Sequence, residues 1–142
     1  MEIQEILGYL LNTSAKLSKR SMDKCLEKYG ITTSQWSVLK LLDTKNQLTQ
    51  TQISNELKAD KATVGDVILR LSGKNYIEKA FDNNDRRAYV VNLTATAKEM
   101  ISDIETMANE VSNKALKGLN ENETLVLYKA LNQIISNLSR ED

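Results

Sequence analysis

The residues that could recognise another molecule lie at the starts of two helical patterns, farther along the second of these helices, and in one short polar run. Hydroxyls, amides and free N–H groups at a helix start bind anions. A guanidinium offers a rigid fork of donors that suits a phosphate. These residue types favour non-covalent recognition of an anionic partner over bond breaking. The candidates are Thr49, Gln50, Lys61, Ala62, Thr63, Gly65, Arg70, Asp85, Arg86 and Arg87.

Several catalytic chemistries lack the residues that they require. The sequence has no histidine, which removes imidazole as an acid–base catalyst and as a zinc ligand. Its single cysteine, Cys25, cannot form an internal disulfide. No nucleophile–base pair, metal-ligand cluster or phosphate-cradling glycine loop is visible. We therefore expect neither an enzyme nor a cofactor.

Length and charge set the broad class of the protein. The 142 residues suit one domain, and 41% apolar with 27% charged residues is an ordinary globular composition. No apolar run could cross a bilayer and the acidic start is not that of a signal peptide, so a cytoplasmic location without membrane contact is expected. The net charge is +1 over residues 1–43, +2 over 44–94 and −3 over 95–142. The middle of the chain therefore suits an anionic partner best.

Three short helices are predicted in the middle of the chain. Thr32 and Thr49 each precede a glutamine by three residues, the spacing of a capping box, and Asp60 can cap the third helix. The tight turn at 58–60 between the second and third helices outlines a helix-turn-helix.

The pattern changes period after the third helix. Residues 76–81 and 88–93 read as strands, and the polar run 82–87 between them favours a turn. A hairpin directly after a helix-turn-helix is a wing. We therefore predict a mainly α fold with a small β-hairpin, in which a winged helix-turn-helix lobe spans residues 32–94.

Long amphipathic helices flank this lobe on both sides. One fills residues 1–29 and stops at Gly30, and two more fill 95–142, capped by Thr94 and Asn120. Their apolar faces are too long for the lobe to cover, and such faces are usually buried against another chain. We expect a single-domain chain that forms a homodimer through residues 1–29 and 95–142.

Two parts of the sequence are similar to signatures of the MarR family of bacterial transcription regulators. The family's wing has an aspartate, a short turn, Asp-Arg-Arg and a strand, and Leu-Thr then opens a long helix. The run 82–87, followed by a strand and Leu93-Thr94, resembles this pattern. Residues 29–39 and 61–71 resemble the segments upstream, including the recognition helix. The resemblance implies a homodimer that binds a pseudo-palindromic operator in double-stranded DNA, and a small aromatic or phenolic effector.

The sequence departs from this family's pattern at two places. Ala97 stands where the family often has glycine, a mild change within a helix. Gly65-Asp66 stands where the recognition helix often has Thr-Arg, which leaves the bases that are read open.

The wing would use its basic tip. Arg86 and Arg87 would enter a minor groove, where a narrow width and negative potential favour a guanidinium, and Asp85 would hold one of them extended. The alternative is a set of solvated loop charges.

The starts of the second and third helices would meet the major groove and the DNA backbone. Ala62 or the methyl of Thr63 could meet a thymine methyl, with Lys61 beside them in the same first turn. Thr49 and Gln50 would contact phosphate. The alternatives are a plain solvated first turn and simple capping.

Two interpretations stay open for the next turn of the recognition helix. Gly65 either lets the backbone approach DNA or eases packing, at a cost of roughly 1 kcal/mol of helix propensity. Asp66 either accepts from a cytosine amino group or pairs with Arg70, and Arg70 then holds Asp66 or touches phosphate.

The function predicted from these residues is a sequence-specific DNA-binding transcription regulator, a repressor released by a small effector. Met22, Tyr29 and Trp36 are candidate walls of an effector cleft, although Trp36 also suits a core. The first alternative is a winged-helix module that binds another protein instead of DNA. The second is a thiol-based redox sensor acting through Cys25, which could equally be a small buried residue.

Overall fold

The computed structural model describes residues 1–81 and 89–139. The predicted wing-tip residues Asp85, Arg86 and Arg87 lie outside the described residues. The described part forms helices and one two-stranded antiparallel hairpin, which confirms the mainly α fold class. The chain divides into two compact units, Met1–Ala108 and Asn109–Asp142.

The helices and strands follow the predicted order. Short 3₁₀ turns at Ile3–Glu5 and Glu27–Tyr29 flank the first helix. The helices are α1 (Leu7–Leu26), α2 (Thr33–Lys45), α3 (Gln50–Leu57), α4 (Lys61–Gly73), α5 (Ala95–Ala115) and α6 (Glu121–Ser139). The strands are β1 (Ile77–Phe81) and β2 (Tyr89–Leu93).

The capping boxes predicted at the starts of α2 and α3 are present. The Thr32 hydroxyl accepts the Gln35 N–H at 3.3 Å, and the Gln35 carbonyl oxygen accepts the Thr32 N–H at 3.2 Å. Thr49 and Gln52 make the equivalent pair of bonds at 3.1 and 2.8 Å. Each box satisfies two backbone donors that a helix start otherwise leaves unpaired, which fixes where α2 and α3 begin.

A carboxylate of α1 also holds the start of α2. Asp23 accepts both the N–H and the hydroxyl of Thr33, at 2.7 and 2.6 Å. The Lys19 ammonium lies 2.6 Å from the other carboxylate oxygen. The hydrogen-bonded Lys19, followed by Thr33, holds the pKa of Asp23 below its usual value. This joint between α1 and α2 was not predicted from the sequence.

The hairpin is joined to the helix-turn-helix by a backbone bridge in the middle of its paired region. Strand β1 pairs with β2 from Ile77↔Leu93 to Phe81↔Tyr89, and Leu48 forms a β-bridge with Val91. The predicted strand start at Tyr76 was one residue early, because the Tyr76 N–H donates to the Leu71 carbonyl at the end of α4.

The core of the first unit is apolar and draws on every element from α1 to the first half of α5. The α5 start is capped as predicted, since the Thr94 hydroxyl accepts the Ala97 N–H at 3.2 Å. An ion pair between Lys40 of α2 and Glu105 ties α5 to α2, and Glu105 raises the pKa of Lys40. The largest fully buried side chains are Leu26, Val38, Leu39, Leu42, Ile53, Val64, Ile68, Leu71, Ile77, Val91 and Ile104.

The second unit contains the end of α5, a turn and α6. Gly118 takes a left-handed φ of +96° in the turn, a conformation that favours glycine. Asn120 and Glu123 exchange hydrogen bonds at 2.8 and 2.9 Å and cap α6, as predicted. No residue of α6 is buried among the described residues, and Leu125, Tyr128, Ile135 and Leu138 are exposed.

Within residues 1–81 and 89–139, no helix is both long enough and apolar enough to cross a membrane.

Candidate nucleic-acid interface

Helix α4 has one apolar face in the core and an opposite face open to solvent. Val64, Val67, Ile68 and Leu71 are buried, and they recur with the three-and-four spacing of one helical face. The centre of the opposite face is formed by Ala62, Asp66 and Leu69, all exposed. Leu69 is 67% exposed, whereas Leu71 in the same helix is fully buried. The helix therefore offers a narrow ridge of short side chains and one leucine to a partner.

The first turn of α4 is fixed by its cap. Asp60 accepts the Thr63 N–H at 2.7 Å and the Thr63 hydroxyl at 2.8 Å. These two bonds hold the pKa of Asp60 below its usual value. Since the hydroxyl proton of Thr63 is directed to Asp60, the oxygen lone pairs and the methyl group remain for a partner.

An ion pair joins the second turn of α4 to its last turn. The Arg70 Nε lies 3.0 Å from the Asp66 carboxylate, and both side chains are about two-thirds exposed. The sequence left open whether Asp66 pairs with Arg70 or accepts from a base, and the structure contains the pair with Arg70. The bond uses Nε, so the terminal guanidinium nitrogens of Arg70 can still donate to an anion.

Gly65 lies directly under the side chain of Gln50. A Cβ built on Gly65 would stand 2.8 Å from the Gln50 Nε2, closer than real Cβ contacts. The amide of Gln50 donates to the Lys61 carbonyl at 2.8 Å and accepts from the Tyr89 hydroxyl at 3.1 Å. This arrangement supports the packing interpretation of Gly65 and occupies the Gln50 side chain that was predicted to contact phosphate.

The cations around α3 and α4 differ in what they contact. Lys58 is exposed in the turn between these helices, with a left-handed φ of 55°. Lys61 is exposed at the start of α4. Lys74 donates to the Gly30 carbonyl, and the Lys79 ammonium lies 4.7 Å from the centroid of the Tyr89 ring. Lys58 and Lys61 are therefore better placed to meet an anion than Lys74 and Lys79.

The predicted effector-cleft residues lie in α1, at its end and in α2. Met22 is buried, and Tyr29 and Trp36 are half-buried. Cys25 is half-buried in α1. Their roles in effector binding or redox sensing stay predictions. No group of three or more cysteine, aspartate or glutamate side chains suited to a metal ion occurs in the described ranges 1–81 and 89–139.

Sequence reasoning missed Tyr89, whose hydroxyl meets Gln50, and Leu69. The signal for Tyr89 was present, because the two-residue period of a strand puts it on the same face of β2 as the buried Val91 and Leu93. Leu69 falls outside the apolar spacing of α4, which marks it as a side chain without a place in the core.

Comparison with known proteins identifies the family. The family model described as MarR family matches residues 31–89. The HTH-type transcriptional regulator BilQ of Clostridioides difficile (strain CD3) is 28% identical over 92% of this chain and 88% of BilQ. The uncharacterised HTH-type transcriptional regulator YwoH of Bacillus subtilis (strain 168) is 33% identical over 69% of this chain and 71% of YwoH. The chain belongs to the MarR family.

Solved structures agree with this assignment. A MarR transcriptional regulator from Methanosarcina mazei Go1 matches with a TM-score of 0.86 and 26% identity, covering 94% of this chain and 96% of that one. A mutant MarR from E. coli complexed with operator DNA matches with a TM-score of 0.83 and 22% identity, covering 90% and 92%. The predicted winged helix-turn-helix fold is confirmed.

Membership of the MarR family also decides between an enzyme and a regulator. The family and the matched relatives are transcriptional regulators, so the prediction that this chain is not an enzyme is confirmed.

Proposed function

We propose that two copies of this chain bind a two-fold related operator in double-stranded DNA and repress transcription until a small effector releases them. The observation that carries this proposal is the exposed face of α4, which is built of short side chains and flanked by Lys61, Thr63 and Arg70. This face supports a DNA duplex as the partner, because short side chains allow close approach to a groove and Lys61 and Arg70 carry charges opposite to those of the phosphates.

Helix α4 enters the major groove, which is wide enough to admit an α-helix. Ala62 meets a thymine methyl, and Leu69 extends the same apolar contact farther along the helix. Thr63 accepts from a base amino group or contributes its methyl group, since its proton is held by Asp60. Arg70 donates its terminal nitrogens to a phosphate while Asp66 keeps its Nε.

The remaining contacts are to the DNA backbone and the minor groove. Thr49 caps α3 with its oxygen, and a hydroxyl that accepts a hydrogen bond can still donate its proton to a phosphate. Arg86 and Arg87 enter the minor groove from the wing with Asp85 beside them. This role rests on the likeness of the sequence motif to the MarR family.

A second copy of the chain covers the apolar side chains that the monomer leaves exposed. In α6, Tyr128, Ile135 and Leu138 are separated by seven and three residues and so share one helical face. Ile6, Leu7, Leu10 and Leu17 are exposed in the first helical region. Two-fold symmetry would set the recognition helices one DNA turn apart, roughly 34 Å, which predicts a near-palindromic operator. A mutant MarR from E. coli, which shares this fold, has been solved in complex with operator DNA, and this supports duplex DNA as the partner.

Release requires an effector that binds one conformation of the dimer better than the other. A small aromatic or phenolic acid between Met22, Tyr29 and Trp36 would change the spacing of the lobes, so that both recognition helices no longer fit successive grooves. Trp36 is the only tryptophan of the chain, so its fluorescence reports binding at this cleft directly. Quenching that saturates, together with loss of DNA binding at the same concentrations, is the expected result.

The experiment that tests the proposed function is selection of bound duplexes from a randomised library, followed by affinity measurements on the enriched sequence and a shuffled one. We expect a two-fold related sequence with half-sites about 10 base pairs apart, bound at least about a thousandfold more tightly than the shuffled duplex. Failure to enrich any sequence would contradict the proposal and favour a winged-helix module with a protein partner.

A further inference from the structure

We propose that Gln50 and Tyr89 are positioning residues that hold the recognition helix α4 and the wing in one fixed relation, so that both meet DNA together. The inference rests on the proposed function and adds to it a bridge of side chains that joins three elements, α3, α4 and β2, through a single amide group. In this role Gln50 acts through its protein partners and not through a phosphate.

Both ends of the Gln50 amide are used. Its Nε2 donates to the Lys61 carbonyl at 2.8 Å, and its Oε1 accepts from the Tyr89 hydroxyl at 3.1 Å. Reversing the amide would place its carbonyl against the carbonyl of Lys61, so the Lys61 carbonyl fixes its orientation. The Tyr89 hydroxyl, which can donate or accept, then donates to Oε1. Gln50 is half-buried, and the partial burial of its bond with Tyr89 limits competition from water there.

Gly65 provides the space for this amide. In an α-helix the Lys61 carbonyl already accepts the N–H of the residue four positions later, which is Gly65, so an additional donor must approach over Gly65. A Cβ at Gly65 would stand 2.8 Å from the Gln50 Nε2. A glycine inside a helix costs roughly 1 kcal/mol relative to alanine. The space that the Gln50 amide needs explains why glycine stands at this position of the helix.

Tyr89 carries the bridge into the wing. It pairs with Phe81 at the end of the hairpin farthest from Ile77↔Leu93, and the two rings meet edge to face with centroids 6.3 Å apart. The Lys79 ammonium lies 4.7 Å from the Tyr89 ring centroid. The ring is thus held by β1, and its hydroxyl reaches α3.

The paired part of the wing is attached through its buried side chains Ile77, Val91 and Leu93 and through the backbone bridge between Leu48 and Val91, in the middle of the paired region. The Tyr89–Gln50 hydrogen bond adds an attachment at the pair Phe81↔Tyr89, beyond that bridge. It restricts the direction in which the hairpin leaves the helix-turn-helix. Loss of the side-chain bond is therefore expected to weaken DNA binding with little loss of stability.

The decisive experiment measures DNA affinity and melting temperature for Gly65→Ala, Gln50→Ala and the double variant on one duplex. Alanine favours helix, so Gly65→Ala is expected to melt at the same or a higher temperature. Its methyl group displaces the Gln50 amide, and DNA binding weakens about three- to tenfold, the range produced by loss of one hydrogen bond. In the Gln50→Ala background the methyl group has nothing to displace, so Gly65→Ala has no further effect on affinity.

Tyr89→Phe tests the other end of the bridge. It removes one hydroxyl and keeps the ring, and we expect a loss of affinity equal to that of Gln50→Ala and not additive with it. The matched control is Tyr76→Phe, which removes a hydroxyl that donates to the Tyr29 carbonyl at 3.4 Å in the same unit. Its affinity for DNA should equal that of the wild type.

Three results would overturn the inference. If Gly65→Ala weakens binding equally with and without Gln50, the methyl group clashes with DNA itself. If Gly65→Ala and Tyr89→Phe both bind as the wild type does, the bridge positions nothing. If the wild-type chain does not bind duplex DNA, the proposed function fails first and this inference fails with it.

Discussion

The carboxylate of Asp60 accepts a hydrogen bond from Thr63 at each of its two oxygens. Oδ1 accepts the Thr63 N–H at 2.7 Å and Oδ2 accepts the Thr63 hydroxyl at 2.8 Å. One residue therefore starts the recognition helix and also fixes the side-chain orientation of a residue predicted to read bases. The start of α4 is positioned before any partner arrives.

Changing Asp60 should affect folding and DNA binding together. Asp60→Ala removes both acceptors and is expected to lower the melting temperature and weaken DNA binding, because the first turn of α4 loses its cap. Asp60→Asn keeps one acceptor oxygen and should lie between the wild type and the alanine variant. Melting curves and duplex titrations of the three proteins test this order, and equal DNA affinity for all three would show that the cap does not position α4.

The ion pair between Asp66 and Arg70 should oppose DNA binding slightly. Asp66→Ala removes a negative charge next to the phosphates and frees Arg70, so binding should tighten and its salt dependence should steepen. The melting temperature should hardly change, since exposed ion pairs contribute only about 0–1 kcal/mol. Asp66→Asn separates the loss of the negative charge from the release of Arg70, because it removes the charge and keeps a hydrogen-bond acceptor for Arg70.

The control for that prediction is Asp103→Ala, which removes an exposed negative charge from α5. Its DNA affinity should differ little from that of the wild type. Weaker binding by Asp66→Ala would favour the other interpretation, in which Asp66 accepts from a base.

The hydrogen bonds between Asp23 and Thr33 should make the stability of the folded protein depend on pH. The pKa of Asp23 is held below its ordinary 3.8, first by Lys19 and then by Thr33. The folded state therefore binds this proton less readily than the unfolded state. The stabilisation is complete above the ordinary pKa and is lost as the pH falls through the lower pKa of the folded protein.

Melting temperatures measured from neutral pH into that acidic range test the role of Asp23. Asp23→Asn should melt lower than the wild type near neutral pH, and the difference should shrink as the pH falls, because the wild type loses its charge there. Asp103→Asn, which removes an exposed negative charge from α5, provides the charge-matched control. A constant difference between wild type and Asp23→Asn at every pH would contradict the explanation.

The apolar face of α6 should determine the oligomeric state. Ile135 and Val126 are both exposed but lie nine residues apart, which places them on opposite sides of the helix. Ile135→Glu should convert the proposed dimer to monomer and weaken operator binding, whereas Val126→Glu should leave the dimer intact. Light scattering after size exclusion gives the mass directly. Equal masses for the two variants would show that the dimer uses another surface.

Features that depend on neighbours in the sequence were predictable. The capping boxes at Thr32 and Thr49 and the cap at Asp60 each join residues three positions apart, so a short window of sequence contains the whole interaction. The change from helical to strand spacing likewise marks the hairpin. These signals sufficed for the order of elements and for the fold class.

Features that join distant parts of the chain were not predictable. Asp23 meets Thr33 across a turn, and Gln50 meets Tyr89 across 39 positions. Nothing in the local pattern specifies either of these hydrogen bonds. Gly65 shows the same limit, because its sequence context left two interpretations open and only the position of the Gln50 amide distinguishes them.

The most direct test of the central claim is fluorescence anisotropy with a random-sequence duplex at low and physiological salt, comparing the wild type with Arg86→Ala/Arg87→Ala. We expect the affinity of the wild type to fall steeply with salt. The double variant should bind more weakly, with a salt slope that is smaller by about 0.9 for each phosphate that it no longer neutralises. A wild-type chain that does not bind the duplex at low salt would contradict the account of this protein as a DNA-binding regulator.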